Sequence, residues 1–445
     1  MKSVPVQHQE WNGLRVYVMG LGRFGGGVGV ARYLAENGAH VVVGDSGSRE
    51  SLSDSIQALQ EHIDSGRTRC VFGPHAFQDL EGIDVLVVNP AIPMPWTNAF
   101  ILRAESLGIR VTTEIEISAR LVNPDRVIGV TGSAGKSTTS AMIEFGLNRL
   151  GVHAMLTGNF GGSLLSRLSE LETESVVVLE LSSAMLYWLE RSGYFEDHTF
   201  RVGCLTNCVP NHLDWHGDEE HYIQSKKILL KGARHRVVGP DLAAWVSGTV
   251  QLVTVSDAVK DCIVPGSHNA LNAGMAALAV EHVYQGDRQS IESAVRDFQG
   301  LPHRLQCVGS YGGIEYFNDS KCTVPDATLL AIDALASNRK ENTIHVIVGG
   351  YDKGSDLACI SQRAPELAGL YCIGATGLSI AQGAPSKAHY CDDLENALRV
   401  IHKNSKPGDT VLLSPGCASW DQFSSFEQRG ERFMQLAQHG SGELI

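Results

Sequence analysis

The sequence predicts an α/β fold of three domains, in which parallel strands alternate with helices. Short runs of β-branched residues, bounded by Gly, Pro or Asn, recur along all 445 residues, as buried parallel strands require. Segments rich in Ala, Leu and Glu, each of helical length, lie between these runs. A chain this long exceeds what one hydrophobic core usually supports, which favours two to three domains.

The elements follow one another in a regular order along the chain. The predicted strands are RVYVMG, HVVVGD, DVLVVNP, RVIGVTG, VVVLELSS, VGCLTN, IHVIVGG and TVLLSPG. Helical segments between them include GVGVARYLAENG, TTSAMIEFGLNRL and NAGMAALAVEHVY. Polar connectors near residues 111–124 and 299–302 predict the domain boundaries. We therefore expect a Rossmann-like N-terminal domain at 1–111, a central P-loop ATPase-like domain at 112–301 and a C-terminal Rossmann-like domain at 302–445.

Composition excludes several classes of protein. The formal charge is −13 and no dense Lys/Arg block is present, which argues against nucleic acid as a partner. No apolar run is long enough to cross a bilayer and the first residues contain no leader-like stretch, so we expect no membrane insertion and a cytoplasmic location. The ten cysteines are scattered, and the closest pair, Cys204 and Cys208, lacks the spacing of a zinc knuckle. Buried reduced thiols are the expected state.

A glycine-rich turn follows the first predicted strand. Gly20, Gly22 and Gly25 come directly after RVYVM, and Asp45 closes the next strand. This pattern fits a dinucleotide fingerprint with its ribose-binding acid. The same geometry suits any ligand that carries a pyrophosphate and a sugar, so it indicates NAD and a diphosphate-bearing substrate equally well.

The strongest local motif spans residues 127–139, VIGVTGSAGKSTT. It consists of an apolar strand, a loop of small residues and the start of a helix. Backbone N–H groups, the helix N-terminus and Lys136 suit phosphate oxygens, and Ser137 or Thr138 can hold Mg²⁺. The strict P-loop pattern has Gly where this chain has Val130. The motif predicts ATP binding.

Further polar residues stand at predicted strand ends. Glu180 closes VVVLE and is a candidate to share the metal with the loop. For His212 taken alone, a hydrogen-bonded structural role is favoured, because oxygen ligands suit Mg²⁺ better. His216 and His221 are expected at the surface. Lys226 lies on a probable helix. Downstream clusters at 268–272, 303–304 and 318–323 are ambiguous individually, since caps and turn ion pairs use the same residues.

Taken in order, these motifs resemble the Mur ligase family, the ATP-dependent amino-acid ligases of peptidoglycan precursor synthesis. The resemblance covers essentially the whole chain and is carried by GVTGSAGKSTT, GNFG, LELSS, NHLDWHG, YIQSK, HNALNA, LPHR, NDSKCT, GGYDKG and LLSPGCASWDQFSSFEQRG. The last motif and the short N-terminal domain are most similar to the member that adds D-glutamate to UDP-N-acetylmuramoyl-L-alanine. The resemblance implies an acyl-phosphate intermediate that the glutamate amine then attacks.

The resemblance also implies a role for each matching residue. Catalytic roles fall to Lys136, Glu180, His212 and Lys226. Two Mg²⁺ ions would be held by Ser137, Glu180, His212 and Lys226, the last as a carbamate. ATP would contact Gly132, Ser133, Ala134, Gly135, Lys136, Ser137, Thr138, Asn272, Arg304 and Asp319. The UDP substrate would contact Gly22, Arg23, Phe24, Asp45, Ser46, Asn89, Asn159 and Ser182. The amino acid would contact Lys321, Thr323, Lys353, Ser419, Trp420 and Phe426.

Some positions depart from the family pattern, and other functions compete with this one. Ala134 stands where the family commonly has Asn, and Arg23, Phe24, Asn89 and Ala91 differ from the residues expected at the uracil site. The resemblance implies ATP, glutamate and the nucleotide sugar as substrates. It also implies that the protein is a monomer. The alternatives are a related ligase for L-glutamate or another amino acid, a P-loop ATPase without ligase activity, an NAD-dependent oxidoreductase and a non-catalytic nucleotide-binding module.

Overall fold

The computed structural model describes residues 10–21, 26–209, 211–245, 249–254, 259–337, 339–351 and 354–439, without the side chains of 243–245 and 439. These residues form three sheets. Two compact units contain them: Met1–Asp257 with Gly274–Ala294, and Ala258–Ala273 with Val295–Ile445. The predicted α/β fold class is confirmed, and all eight predicted strands are present.

The first sheet has five parallel strands in the order β3-β2-β1-β4-β5. The strands are β1 (Arg15–Met19), β2 (His40–Asp45), β3 (Thr68–Phe72), β4 (Val85–Val88) and β5 (Arg110–Thr113). The accompanying helices are α1 (Gly26–Glu36), α2 (Ser53–Gln57), α3 (Gln60–Asp64), α4 (Ala99–Ser106) and α5 (Glu114–Arg120). Strand order reverses between β1 and β4, the position where ligands bind in such sheets. β5 continues to Thr113, past the predicted boundary at residue 111.

Helices cover both faces of this sheet, which explains why its strands are continuously apolar. Val16 and Val18 of β1 pack in the same core cluster as residues of α1. Tyr17 and Met19 of the same strand pack with residues of α4 on the opposite face. A strand buried on both sides has no solvent-facing positions for polar residues, so the alternating pattern of a half-buried strand is absent here.

The second sheet has six parallel strands in the order β11-β10-β9-β6-β8-β7. The strands are β6 (Val127–Thr131), β7 (Ala154–Gly158), β8 (Val176–Glu180), β9 (Phe200–Leu205), β10 (Ala233–Val238) and β11 (Gln251–Leu252). The helices are α6 (Lys136–Arg149), α7 (Ser183–Arg191), α8 (Tyr194–Asp197), α9 (Leu213–His216), α10 (Glu219–Lys231), α11 (Ser267–Glu281) and α12 (Arg288–Arg296). β6 is flanked by β8 and β9, so the segments that follow these three strands meet at one edge.

The third sheet has the order β12-β13-β17-β14-β15-β16, with only β12 antiparallel to its neighbour. The strands are β12 (Gln306–Tyr311), β13 (Ile314–Asn318), β14 (Ile344–Gly349), β15 (Gly369–Ile373), β16 (Ala388–Asp392) and β17 (Thr410–Leu413). The helices are α13 (Pro325–Ala336), α14 (Ala358–Arg363), α15 (Gly377–Gly383), α16 (Leu394–Asn404) and α17 (Phe426–His439).

Two further observations concern the cysteines and the apolar helices. All ten cysteines are free thiols, five buried and five partly buried, as expected for a reduced protein. Within the described ranges, no helix combines the length and the apolarity needed to cross a membrane.

Candidate active site

The loop between β6 and α6 lies tightly against the segment that follows β9. Gly132 has φ 152°, and a Cβ atom there would lie 1.8 Å from Thr206 Oγ1. Gly135 has φ 77° and directly precedes α6. Both positions therefore require glycine, the first because of space and the second because of backbone conformation.

Lys136 is the first residue of α6, where the helix dipole is positive. Its Nζ atom donates hydrogen bonds to the carbonyl oxygens of Gly132 at 2.9 Å and Ser133 at 3.2 Å. Ser137 and Thr138 follow in the same helical turn and are partly buried. A cation, two hydroxyls and a helix N-terminus together form a setting that suits phosphate.

Ala134 is exposed, but its backbone is firmly held. Asn207 Oδ1 accepts hydrogen bonds from the N–H groups of Ser133 at 3.2 Å and Ala134 at 2.9 Å, while Asn207 Nδ2 donates to the Ala134 carbonyl at 3.0 Å. Thr206 Oγ1 donates to the same carbonyl at 2.6 Å. An Ala side chain cannot form hydrogen bonds that hold the loop backbone. The Asn207 side chain forms such bonds instead. Sequence reasoning missed this residue, although its position at the end of a predicted strand was a usable signal.

Glu180, at the end of β8, is 1% exposed and incompletely paired. Its Oε1 atom accepts a hydrogen bond from Asn159 Nδ2 at 2.8 Å. Its Oε2 atom is buried and has no hydrogen-bond partner in the described part of the chain. Leaving a buried acceptor unpaired is costly, so this oxygen fits a ligand that completes it.

Lys226 of α10 is 2% exposed and lies beside the same loop. Its Nζ atom donates to the Gly132 carbonyl at 2.8 Å and lies 4.8 Å from the ring centre of Tyr222. Burial, followed by the nearby Lys136 cation, lowers the pKa of Lys226 from 10.5 to about 7. Near neutral pH a large fraction of this amine is therefore uncharged.

These residues fit a hard cation better than a soft one. Among the described residues, no three or more His, Cys, Asp or Glu side chains converge on a possible metal position. The unpaired Glu180 oxygen and the Ser137 hydroxyl are oxygen donors, the type that Mg²⁺ prefers. A cation here would take its other ligands from a nucleotide or from water, as Mg²⁺ sites at phosphates usually do.

His212 begins the short helix α9 from a left-handed backbone conformation, with φ 53°. Its side chain is exposed, and its N–H donates to Asn211 Oδ1 at 2.8 Å. It lies in the segment after β9, five residues beyond Asn207. The chain therefore brings His212 to the same sheet edge as the loop and leaves its ring accessible.

His216 is buried, so the prediction of a surface histidine was wrong. Its Nδ1 lies 2.8 Å from Nδ1 of His221, which is half-buried, and its Nε2 lies 2.9 Å from Ser183 Oγ. Burial lowers the pKa of His216 from 6.5 to about 4. The rings of Trp96 and Trp215 lie within 4.5 Å of His221 and His216 respectively, measured between centroids. Trp96 comes from the first sheet's connections, a tertiary contact that local sequence does not reveal.

The edge of the first sheet carries the predicted UDP-substrate residues. Asp45 organises the turns around it, since Oδ2 accepts from the Leu21 N–H and Oδ1 from the Gly47 N–H, both at 2.8 Å. Asn89 is exposed at the end of β4, and a Cβ atom at Gly20 would lie 3.5 Å from its Nδ2. The ends of β1, β2 and β4 thus meet at the point where strand order reverses.

The remaining predicted UDP-substrate residues are distributed differently. Ser46 is exposed, and Ser182 caps α7 by accepting a hydrogen bond from the Met185 N–H at 3.1 Å. Asn159 lies beside Glu180, as described above. Gly22, Arg23 and Phe24 lie outside the described residues.

In the second unit, a fully buried arginine ties two sheet-edge segments together. Arg429 of α17 is 1% exposed. It donates to the Ser320 carbonyl at 2.8 Å and the Ser320 Oγ at 3.0 Å, and also to the carbonyls of Cys417 at 3.1 Å and Ala418 at 3.3 Å. Burial lowers the pKa of Arg429 to about 10. The segments after β13 and β17 are therefore joined by one guanidinium group.

Asp319 follows β13 and is paired through both carboxylate oxygens. Oδ1 accepts from the Leu305 N–H at 3.0 Å, and Oδ2 accepts from Ser414 Oγ at 2.8 Å. Burial raises the pKa of Asp319 to about 6. Of the other predicted adenosine contacts, Arg304 is exposed and Asn272 is partly buried on α11.

The predicted amino-acid residues lie around the same edge. Lys321 Nζ lies 5.2 Å from the ring centre of Phe426. Ser419 is buried, whereas Trp420 is 62% exposed with its ring centre 5.5 Å from that of Tyr351. Thr323 is partly buried, and Lys353 lies outside the described residues.

Comparison with known protein families gives two matches. The Mur ligase middle domain matches residues 130–243, and the Mur ligase, glutamate ligase domain matches residues 303–417. The first match contains the loop, Glu180, Asn207, His212 and Lys226. The second contains Asp319 and Lys321.

Relatives align along nearly the whole chain. UDP-N-acetylmuramoylalanine–D-glutamate ligase of Shouchella clausii is 32% identical over 461 residues, covering 96% of this chain and 97% of the relative. The enzyme of the same name from Streptococcus mutans is 31% identical, covering 96% and 98%.

Two solved structures from Thermotoga maritima share the fold. UDP-N-acetylmuramate-alanine ligase MurC superposes with a TM-score of 0.55 at 18% identity, covering 96% of this chain and 99% of that one. MurF ligase in complex with ADP superposes with a TM-score of 0.54 at 16% identity, covering 98% and 97%.

Proposed function

We propose that this chain, which belongs to the Mur ligase family, uses ATP to join D-glutamate to UDP-N-acetylmuramoyl-L-alanine in peptidoglycan precursor synthesis. One observation carries the proposal: the buried, unpaired carboxylate oxygen of Glu180 and the buried amine of Lys226 both lie at the edge of the sheet that holds the Lys136 loop. The relatives that align with the full chain have this activity in their names.

ATP binding is assigned to the loop and to the start of α6. Lys136 would exchange its hydrogen bonds to loop carbonyls for bonds to phosphate oxygens, and Ser137 and Thr138 would face the same group. Residues 132–135 would pass around the phosphates. Asn272, Arg304 and Asp319 would contact adenosine.

The residues present fit Mg²⁺, because Glu180 offers an oxygen that nothing else completes. Ser137, Glu180, His212 and Lys226 would hold two ions, which supply neutralisation of phosphate charge when bound. Lys226 would serve as a carbamate. Its lowered pKa supports this, because CO₂ reacts with a neutral amine: an N–C bond forms, the nitrogen loses a proton and an oxygen anion results.

The reaction then needs two displacements. The terminal carboxylate of the nucleotide sugar attacks the γ-phosphorus of ATP, so that ADP leaves and an acyl phosphate forms. The neutral glutamate amine attacks the acyl carbon, its nitrogen loses one proton to solvent, and the tetrahedral intermediate expels phosphate to leave an amide. The charge of Lys136 and the dipole of α6 reduce the repulsion between the anionic carboxylate and the triphosphate.

The substrates are assigned to the edges of the first and third sheets. Contacts to the nucleotide sugar are proposed for Gly22, Arg23, Phe24, Asp45, Ser46, Asn89, Asn159 and Ser182. Contacts to glutamate are proposed for Lys321, Thr323, Lys353, Ser419, Trp420 and Phe426. We also propose domains at 1–111, 112–301 and 302–445, a monomeric state, and action in the cytoplasm, because ATP is the proposed substrate.

The test is ATP-dependent phosphate release with UDP-N-acetylmuramoyl-L-alanine and a panel of D- and L-amino acids. Strong release is expected with D-glutamate alone, and Lys136→Ala should abolish it. Release with L-glutamate instead would move the chain to a different ligase activity. Release without any amino acid would indicate an ATPase and overturn the proposal.

A further inference from the structure

We propose that Asn207 is a positioning residue that fixes the first half of the phosphate loop. It bonds to both sides of the Ala134 peptide region through three hydrogen bonds of 2.9, 3.0 and 3.2 Å. The exposed methyl group of Ala134 forms no hydrogen bonds, so the Ala134 side chain does not help to hold the loop. This inference rests on the proposed function and deepens its ATP-binding step.

The first part of the loop and the start of α6 therefore have different roles in phosphate binding. The Ala134 N–H donates to Asn207 Oδ1 at 2.9 Å, and the Ser133 N–H donates to both the Asn207 backbone carbonyl at 3.1 Å and Asn207 Oδ1 at 3.2 Å. Both N–H groups are therefore already engaged by Asn207. Phosphate oxygens would therefore meet the N-terminal turn of α6 and the Lys136 cation. The N–H groups of a first helical turn have no partner within the helix, which suits them to this task.

A second set of contacts fixes the loop relative to Lys226. The Ser133 hydroxyl bonds to the Val209 carbonyl at 2.7 Å, accepts from the Val209 N–H at 2.9 Å and lies 2.7 Å from the Tyr222 hydroxyl. Tyr222 lies one helical turn before Lys226, and its ring faces the Lys226 Nζ. Residues 206–209 and Tyr222 thus hold the loop between β6 and α6 at a fixed distance from Lys226 Nζ. Asn207 makes the central contacts of this group.

The matched control is Asn148, whose side-chain amide also donates to and accepts from a backbone, here that of Ala154. Its Nδ2 donates to the Ala154 carbonyl and its Oδ1 accepts from the Ala154 N–H, both at 3.0 Å. It lies twelve residues along α6 from Lys136, about 18 Å at the helical rise. Asn148→Ala therefore removes a comparable side-chain bridge at the far end of the helix.

The experiment compares Asn207→Ala, Asn207→Ser and Asn148→Ala in the full chain. Calorimetric titration with ADP and Mg²⁺ should show binding at least about tenfold weaker for Asn207→Ala, the factor that corresponds to one strong hydrogen bond or two weak ones. Asn207→Ser should fall between this variant and wild type, because a hydroxyl replaces only part of the amide. Asn148→Ala should bind ADP as wild type does.

Steady-state kinetics separates a role in ATP binding from a purely structural role, because only the former would change the KM for ATP selectively. Asn207→Ala should raise the KM for ATP at least about tenfold while the KM values for D-glutamate and the nucleotide sugar change by less than about twofold. Thermal unfolding checks that each variant is folded. If both Asn207 variants bind ADP like wild type, or if Asn148→Ala weakens binding equally, the proposal is overturned. The ADP titration needs no acceptor, so it separates failure of this proposal from failure of the ligase assignment.

Discussion

The edges of the second and third sheets both bury charged side chains, but they complete them differently. At the third sheet, Arg429 donates to four oxygens, and each carboxylate oxygen of Asp319 accepts a hydrogen bond. At the second sheet, one oxygen of Glu180 has no partner among the described residues, and burial brings the pKa of Lys226 to about 7. The first arrangement is complete without a ligand, whereas the second is not.

This difference separates two uses of a buried charge. A charge that its own chain fully bonds holds loops in place, because removing it leaves several carbonyls unpaired. A charge that remains incompletely bonded costs stability in the free protein and gains it when a ligand arrives. We therefore expect variants of Glu180 and Lys226 to change activity and variants of Arg429 to change mainly stability.

The largest expected effect tests this contrast at Glu180. Glu180→Gln keeps an oxygen for Asn159 but removes the charge of a proposed Mg²⁺ ligand. Because the ion would neutralise phosphate charge, kcat should fall by about 10²–10³-fold. Thermal stability should stay the same or rise, because a desolvated carboxylate has been removed. Phosphate release and thermal unfolding measure the two quantities.

Glu116 supplies the control for that variant. It is 4% exposed and accepts hydrogen bonds from Thr112 Oγ1 at 2.7 Å and Arg120 Nε at 2.9 Å. Glu116→Gln should lower the free energy of unfolding by about 1–3 kcal/mol and leave turnover intact. A loss of stability without loss of activity at Glu180 would contradict the contrast.

The next effect concerns the third sheet. Arg429→Met leaves the carbonyls of Ser320 and Cys417 without their donor, while the Ala418 carbonyl keeps its bond from the Tyr351 N–H. The free energy of unfolding should fall by about 2–4 kcal/mol, measured by denaturant titration. Arg432→Met, on the same helix, removes a half-exposed ion pair with Glu395 and should cost about 0–1 kcal/mol. Equal losses for the two variants would show that Arg429 does not join the two segments.

The smallest expected effect is the pH dependence set by Lys226. Below its pKa of about 7, the neutral fraction of the amine falls about tenfold per pH unit. If Lys226 acts as a carbamate, wild-type turnover should fall in that range and recover partly when bicarbonate is added. A pH profile that does not respond to bicarbonate would argue against the carbamate.

The lowered pKa of Lys226 also predicts how the free energy of unfolding changes with pH. Because the folded pKa of about 7 lies below the unfolded value of 10.5, the unfolded chain binds more protons between these values. The free energy of unfolding contributed by Lys226 therefore rises with pH from about 7 to 10.5. Lys226→Met should flatten this rise in thermal unfolding, and an unchanged slope would show that another group causes it.

Local pattern was sufficient for much of the fold and for part of the candidate site. Strands buried on both faces produce continuous apolar runs, so β6 and β8 were predictable together with the residues that follow them. Lys136 and Glu180 could be identified because each stands beside such a strand in the sequence. Family resemblance added His212 and Lys226, whose roles neighbouring residues alone do not indicate.

Other features depend on which segments meet in three dimensions. The bond from Asn207 to Ala134 requires β9 to lie next to β6, an order that the sequence does not state. Arginine is rarely buried unless it is paired, so nothing local predicts that Arg429 is inaccessible. His216 was expected at the surface because the sequence does not show that it meets Ser183, which lies 33 residues away along the chain.

The contact between Trp96 and Trp215 has a spectroscopic consequence. Their ring centres lie 5.7 Å apart at 79°, and Trp215 Nε1 donates to the Pro90 carbonyl at 3.0 Å. Indoles this close couple their most intense ultraviolet transitions, which contributes a circular dichroism couplet in the far ultraviolet. The pair joins the connections of the first sheet to those of the second. The protein therefore contains a label-free optical reporter of that seam.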